Sequence, residues 1–121
     1  MEKYAWVEEF SGSVVVCDPE GIIIEMNEKA VTAFQKRGGI QLIGTNLQEC
    51  HPEPSRSKLI RLMEDRKPNI YTIEKKGVKK LIYQAPWHVK GEYRGFMEIV
   101  IEIPASMPHF IRDASSGRAG R

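Results

Sequence analysis

The chain has 121 residues, of which 41% are hydrophobic and 28% charged, with a formal net charge of +2. That length suits one domain with a single core and is too short for two domains of ordinary size. So small a charge argues against a nucleic-acid partner, and no apolar run is long enough to cross a bilayer.

Lys3, Glu8 and Glu9 interrupt the N-terminal apolar residues, so no signal peptide is expected. Tyr4, Ala5, Trp6, Val7 and Phe10 instead predict a short amphipathic helix between Glu2 and Phe10, ended by Ser11-Gly12-Ser13. Two β-branched runs follow, Val14-Val15-Val16 and Ile22-Ile23-Ile24, separated by Asp18-Pro19-Glu20-Gly21. Pro19 presets φ and Gly21 accepts a positive φ, so the pair predicts a hairpin. Asn27 has the chemistry to cap a helix carrying Ala30, Val31, Ala33 and Phe34, which Arg37-Gly38-Gly39 stops. Leu42-Ile43-Gly44 reads as a connecting turn.

Pro52-Glu53-Pro54-Ser55 interrupts regular structure and makes Ser55 the expected N-cap of a second helix, with Leu59, Ile60, Leu62 and Met63 on its apolar face. Lys67-Pro68-Asn69 closes it. Three strands complete the chain: Ile70 to Glu74, Leu81 to Val89, and Phe96 to Ile103. The first two are joined by the Lys75-Lys76-Gly77-Val78-Lys79-Lys80 turn, whose lysines keep strand edges soluble. In the middle strand Leu81, Tyr83, Ala85, Trp87 and Val89 share one face, and Ile82, Gln84, Pro86 and His88 the other. Pro86 asks for an edge position or a bulge. This order predicts an α+β fold, one antiparallel sheet with short helices on one face and an N-terminal helix. The expected division is an N-terminal helix and linker (1–12), a sheet-and-helix domain (13–104) and a basic C-terminal tail (105–121), flexible from Ser115 onward. Cys17 and Cys50 do not make a disulfide framework and are expected as free thiols in a reducing cytoplasm.

From Ser11 to Ile103 the chain resembles PAS domains. Three matches carry the resemblance: Asp18-Pro19-Glu20-Gly21 with Asn27 and Ala30, the Leu42-Ile43-Gly44 turn, and the final strand Gly95-Phe96-Met97-Glu98-Ile99. Gly44, Cys50-His51-Pro52, Ser57, Gly91-Glu92-Tyr93-Arg94-Gly95 and Glu98 are similar to a narrower PAS variant, found in bacterial proteins that also carry hemerythrin-like domains. The resemblance implies a five-stranded antiparallel sheet in the order 2-1-5-4-3, with helices enclosing a small, mainly apolar cavity. One departure stands at the end of the last strand. Many PAS domains carry Asp-Ile-Thr there, and this chain has Glu102-Ile103-Pro104, so output is expected through dimerisation or a separate signalling protein.

Cys50-His51-Pro52 is the sharpest chemical candidate, because imidazole and thiolate both bind iron or zinc. By analogy with heme-binding PAS sensors, His51 falls where an axial iron ligand would lie. The simpler reading makes it a loop-ordering residue that hydrogen-bonds backbone near the Ser55 cap. Four spaced ligands for structural zinc are missing, and Cys50 has no sequence-level base or orienting partner that would make it a nucleophile. Tyr83 and Trp87 either line the cavity or form one packed face of the sheet. The resulting expectation is a non-enzymatic, cytoplasmic sensory or protein-interaction module. It senses a small ligand or forms a homodimer through the N-terminal helix and sheet, with no nucleic-acid or membrane partner. The competing expectation is a heme-based redox or gas sensor ligated by His51.

Overall fold

The computed structural model describes residues 5–113. Helix α1 (Ala5–Glu8) precedes strands β1 (Ser13–Cys17) and β2 (Ile23–Met26). Helix α2 (Glu28–Ala33) leads into three short 3-10 turns, Gln35–Arg37, Gly39–Leu42 and Leu47–Cys50. Helix α3 (Ser55–Asp65) then precedes β3 (Asn69–Lys75), β4 (Val78–Val89) and β5 (Glu92–Ile103). The five strands form one antiparallel sheet in the order β2-β1-β5-β4-β3. Among the described residues, no helix is long and apolar enough to cross a membrane.

The first hairpin forms as its turn chemistry predicts. Asp18 Oδ1 accepts the backbone N–H groups of Glu20 and Ile22, both at 2.9 Å, and Gly21 takes φ +89°. Asn27 then caps α2, its Oδ1 accepting Ala30 N–H at 3.1 Å. The same oxygen accepts Val14 N–H at 2.9 Å, while Nδ2 donates to the Val7 and Gly12 carbonyls. One buried amide thus joins α1, β1 and α2.

Several local expectations change. Among the described residues the N-terminal helix covers Ala5–Glu8 and stops short of Phe10; Tyr4 and the rest of residues 1–4 lie outside the described residues, as does the tail from 114 on. Ser55 is not the cap of α3. Pro54 holds the N-cap position without a side-chain bond, and Glu53 Oε1 accepts Ser57 N–H at 3.2 Å, taking up a free first-turn donor. Pro86 sits in β4, between two strands in sheet order, yet it has a neighbour only on the β5 side. β3 begins at Asn69 opposite Gln84, so no strand lies beside Pro86 to need its missing N–H. The register also shifts between Trp87 and His88, so a bulge follows immediately.

The core lies between the sheet and the helical segment. Val15, Ile23, Met26 and Ala30 form one buried cluster, and Cys17, Leu59, Met63 and Phe96 the other. α3 contributes Leu59 and Met63 from the apolar stripe visible in its sequence, and its C-terminus closes at Arg66 in the left-handed region. The opposite sheet face carries Val14, Val16, Leu81, Tyr83, Ile99 and Ile101, half-buried apart from Tyr83. Ile70, on the same face, is 55% exposed, and Trp6 on α1 is 71% exposed.

Candidate functional site

Pairing aligns three polar residues across neighbouring strands of the helix-covered sheet face. Asn69 opposes Gln84, and Gln84 opposes Glu98. Asn69 Nδ2 donates to Gln84 Oε1 at 2.9 Å, and Gln84 Nε2 donates to Glu98 Oε2 at 2.8 Å. A carboxylate only accepts, so it fixes the Gln84 amide with its nitrogen toward Glu98 and its oxygen toward Asn69. Gln84 is 9% exposed, and this pairing is what makes its burial tolerable.

Beside the row lies a cavity of about 30 Å³, enough for one or two water molecules. Val15, Cys17, Ile23 and Phe96 from the sheet, and Phe34, Leu42, Leu47 and Leu59 from the helical side, make its wall apolar. Gln84, Glu98 and His51 are its polar edge. A second, open pocket of about 210 Å³ adjoins it through His51, Leu59, Gln84 and Glu98 and is bordered further by Ser55, Lys58, Asn69 and Tyr71. The two spaces form an apolar end and a polar vestibule meeting at Glu98.

His51 reaches this edge because the 3-10 turn Leu47–Cys50 is firmly placed. Asn46 Oδ1 accepts Gln48 N–H at 2.9 Å, and Leu47 N–H donates to the Gly21 carbonyl at 2.7 Å. The His51 ring lies with Nδ1 3.0 Å from the Leu47 carbonyl, so Nδ1 carries the hydrogen of that bond. Arg56 Nε donates to the carbonyl of His51 at 3.1 Å. His51 is therefore tied to backbone, as a loop-ordering residue is. Cys50 is the last residue of the 3-10 turn, and its side chain lies outside what is described.

Tyr83 and Trp87 are not part of the cavity wall. The two-residue alternation of β4 sends them to the sheet face opposite Gln84. Trp87 Nε1–H donates to the Cys17 carbonyl at 3.1 Å, across Gly95. Asn69, Gln84 and Glu98 were not candidates on sequence grounds, although a usable signal was present. Gln84 and Glu98 are the polar interruptions in strands that otherwise alternate apolar residues.

Burial raises the Cys17 thiol above its ordinary value, an effect partly offset by a backbone hydrogen bond at Phe96 and reinforced by the charge of Asp18. Such a thiol is a poor nucleophile. The Tyr71 hydroxyl is raised by burial and then by the Glu98 charge. Among the described residues, no group of three or more His, Cys, Asp or Glu side chains is placed to hold a metal ion. A heme does not fit this geometry either: small-molecule pockets typically measure about 300–1,000 Å³, and the cavity beside His51 is about 30 Å³.

Sheet order, helix placement and an enclosed cavity between them define the PAS fold. Several of the solved structures that resemble the chain are PAS domains. The PAS domain of BvgS from Bordetella pertussis matches at TM-score 0.63 and 16% identity, covering 85% of this chain and 85% of that one. A PAS domain of an HTR-like protein from Haloarcula marismortui matches at TM-score 0.58 and 16% identity, covering 84% and 89%. The Aer2 receptor from Vibrio cholerae, described as a dual PAS-heme oxygen sensor, matches at TM-score 0.55 and 21% identity, covering 77% and 95%. No protein-family model matches the chain, and no curated protein matches it.

Proposed function

We propose that this chain is a non-enzymatic PAS sensory module that responds to a small ligand held between sheet and helices. The observation that carries the reading is the apolar cavity with a polar vestibule meeting at Gln84 and Glu98. Similar structures include a sensory box sensor histidine kinase from Vibrio cholerae, which agrees with a signalling role. A ligand there contacts α3 and the 3-10 turn ending at Cys50 as well as the sheet. Its binding biases the packing of these elements only to the extent that it prefers one arrangement over another.

The output is proposed to pass through a homodimer. Trp6 is a large apolar side chain left 71% exposed, and the sheet face bearing Tyr83, Ile99 and Ile101 is apolar along several strands. Residues 13–104 would be the sensory unit and 1–12 the dimer-contact segment. A cytoplasmic location belongs to the same proposal and rests on the buried free thiol of Cys17. The narrower kinship with PAS domains of hemerythrin-like bacterial proteins is carried by the residue pattern alone.

Native mass spectrometry of the gently purified protein tests both parts. A dimer retaining a small non-covalent adduct is expected. A ligand-free monomer, unchanged by incubation with a cell metabolite extract, sinks the proposal.

A further inference from the structure

The polar row beneath the vestibule has a direction. Asn69 donates to Gln84, Gln84 donates to Glu98, and the row ends on a carboxylate. Both amide groups of Gln84 that face along the row are therefore engaged. Besides the second N–H of each amide, the row offers a ligand acceptor capacity on Glu98, since an ionised carboxylate has about four lone-pair sites and Gln84 occupies one.

That carboxylate is half-buried and carries its charge without a cation. No ion pair involves Glu98 among the described residues. The cross-strand ladder makes the contrast plain. Four pairs further along β4 and β5, Glu102 stands opposite Lys80, whereas Glu98 stands opposite the neutral Gln84. Lys58 and His51 border the vestibule, but Lys58 is exposed on α3 and the His51 Nδ1 hydrogen is given to the Leu47 carbonyl. Burial and, after it, the Glu98 charge hold the Tyr71 hydroxyl protonated to higher pH. An anionic ligand would meet this charge at close range, and a neutral acceptor would find only the uncharged second N–H of each amide in the row.

We propose that the vestibule takes a small organic ammonium ion, a primary amine on a short apolar chain. Its ammonium group sits on the free lone pairs of Glu98, and its chain lies within the vestibule of about 210 Å³, against Leu59 and Leu62. This inference rests on the sensor reading and adds the ligand's chemical class to it. The ammonium supplies the donors that the carboxylate lacks, in a charge-assisted bond stronger than a neutral one. The apolar side of the vestibule at Leu59 and Leu62 explains why a hydrophobic substituent would be preferred over a bare ammonium ion.

Three probes of nearly equal shape separate the possibilities: n-butylammonium, n-butanol and n-butanoate, each titrated calorimetrically into the full chain. Binding is expected for n-butylammonium alone. Glu98→Gln keeps a polar group beside Gln84, and circular dichroism checks that it folds. It should weaken the amine about tenfold or more, the equivalent of one charge-assisted bond. Binding of n-butanoate or n-butanol in place of the amine overturns the ammonium assignment while leaving the sensor reading in place. Amine binding that survives Glu98→Gln unchanged overturns the assignment to this carboxylate. If none of the three binds, the ammonium proposal fails, and the native mass spectrum decides the sensor reading separately.

Discussion

The indole N–H of Trp87 donates to the carbonyl oxygen of Cys17 at 3.1 Å, joining β4 to β1 over the intervening strand β5. The residue of β5 that lies between them is Gly95, opposite Trp87 in the register. A Cβ there would collide with the Cys17 carbonyl oxygen and crowd the Asp18 backbone, and Gly95 has φ +138°. The bulge, the glycine and the indole therefore act as one device. Trp87→Phe keeps the ring and loses the donor, so a loss of about 1 kcal/mol is expected in urea unfolding. Gly95→Ala should cost about 3 kcal/mol or more, since both strain and overlap oppose it. Equal, small effects from the two would contradict this account.

Asn27 should be the most sensitive polar position in the fold. Asn27→Ala removes the α2 cap together with the bonds to Val7, Gly12 and Val14, an expected loss of about 3 kcal/mol. Asn27→Asp keeps an acceptor for Val14 and Ala30 but turns a carboxylate oxygen toward two carbonyls. It should therefore be destabilised as well, which a capping role alone would not produce. Thermal melts of the two variants distinguish the cases.

Stability should fall in alkaline solution. Burial raises Cys17, Tyr71 and Tyr93 above their ordinary values of 9.0, 10.0 and 10.0. The folded state thus holds these protons more tightly than the unfolded chain. Their contribution is fully present below about pH 9 and is lost as pH rises through the folded-state values. The urea midpoint should be level between pH 7 and 8 and decline from about pH 9 upward. A midpoint that rises over that interval would refute the assignment. The same burial predicts that Cys17 reacts slowly with a thiol reagent until the chain is unfolded.

Hemin titration should produce no Soret band that depends on His51. The cavity beside His51 is about 30 Å³, far smaller than a porphyrin. A band present in the parent protein and absent in His51→Ala would restore the heme sensor.

Tyr83 is placed to report on dimerisation, because it is exposed on the apolar sheet face and far from the cavity wall. Tyr83→Glu should shift the light-scattering mass from dimer to monomer at unchanged melting temperature. An unaltered mass would remove this face from the interface.

The hairpin at Asp18-Pro19-Glu20-Gly21, the Asn27 cap, the apolar stripe of α3 and the alternation of β4 were all legible in the sequence. Each depends on interactions within a few residues, where turn sterics, capping and periodicity act directly on the chain. The cap of α3 was misplaced by one residue for a related reason: the deciding group, the Glu53 carboxylate, reaches the first turn from outside the usual cap position. Sheet order came from resemblance to a family and not from the pattern of residues, since strand pairing is a long-range choice. The candidate site belonged wholly to tertiary structure. Asn69, Gln84 and Glu98 are separated by 15 and 14 residues, and only the register of three strands sets them in a hydrogen-bonded row. That row, and the side of the sheet on which Tyr83 and Trp87 fall relative to the cavity, follow from how a period-two pattern is docked against helices. Alternation divides a strand into two faces, but packing decides which of them is inside.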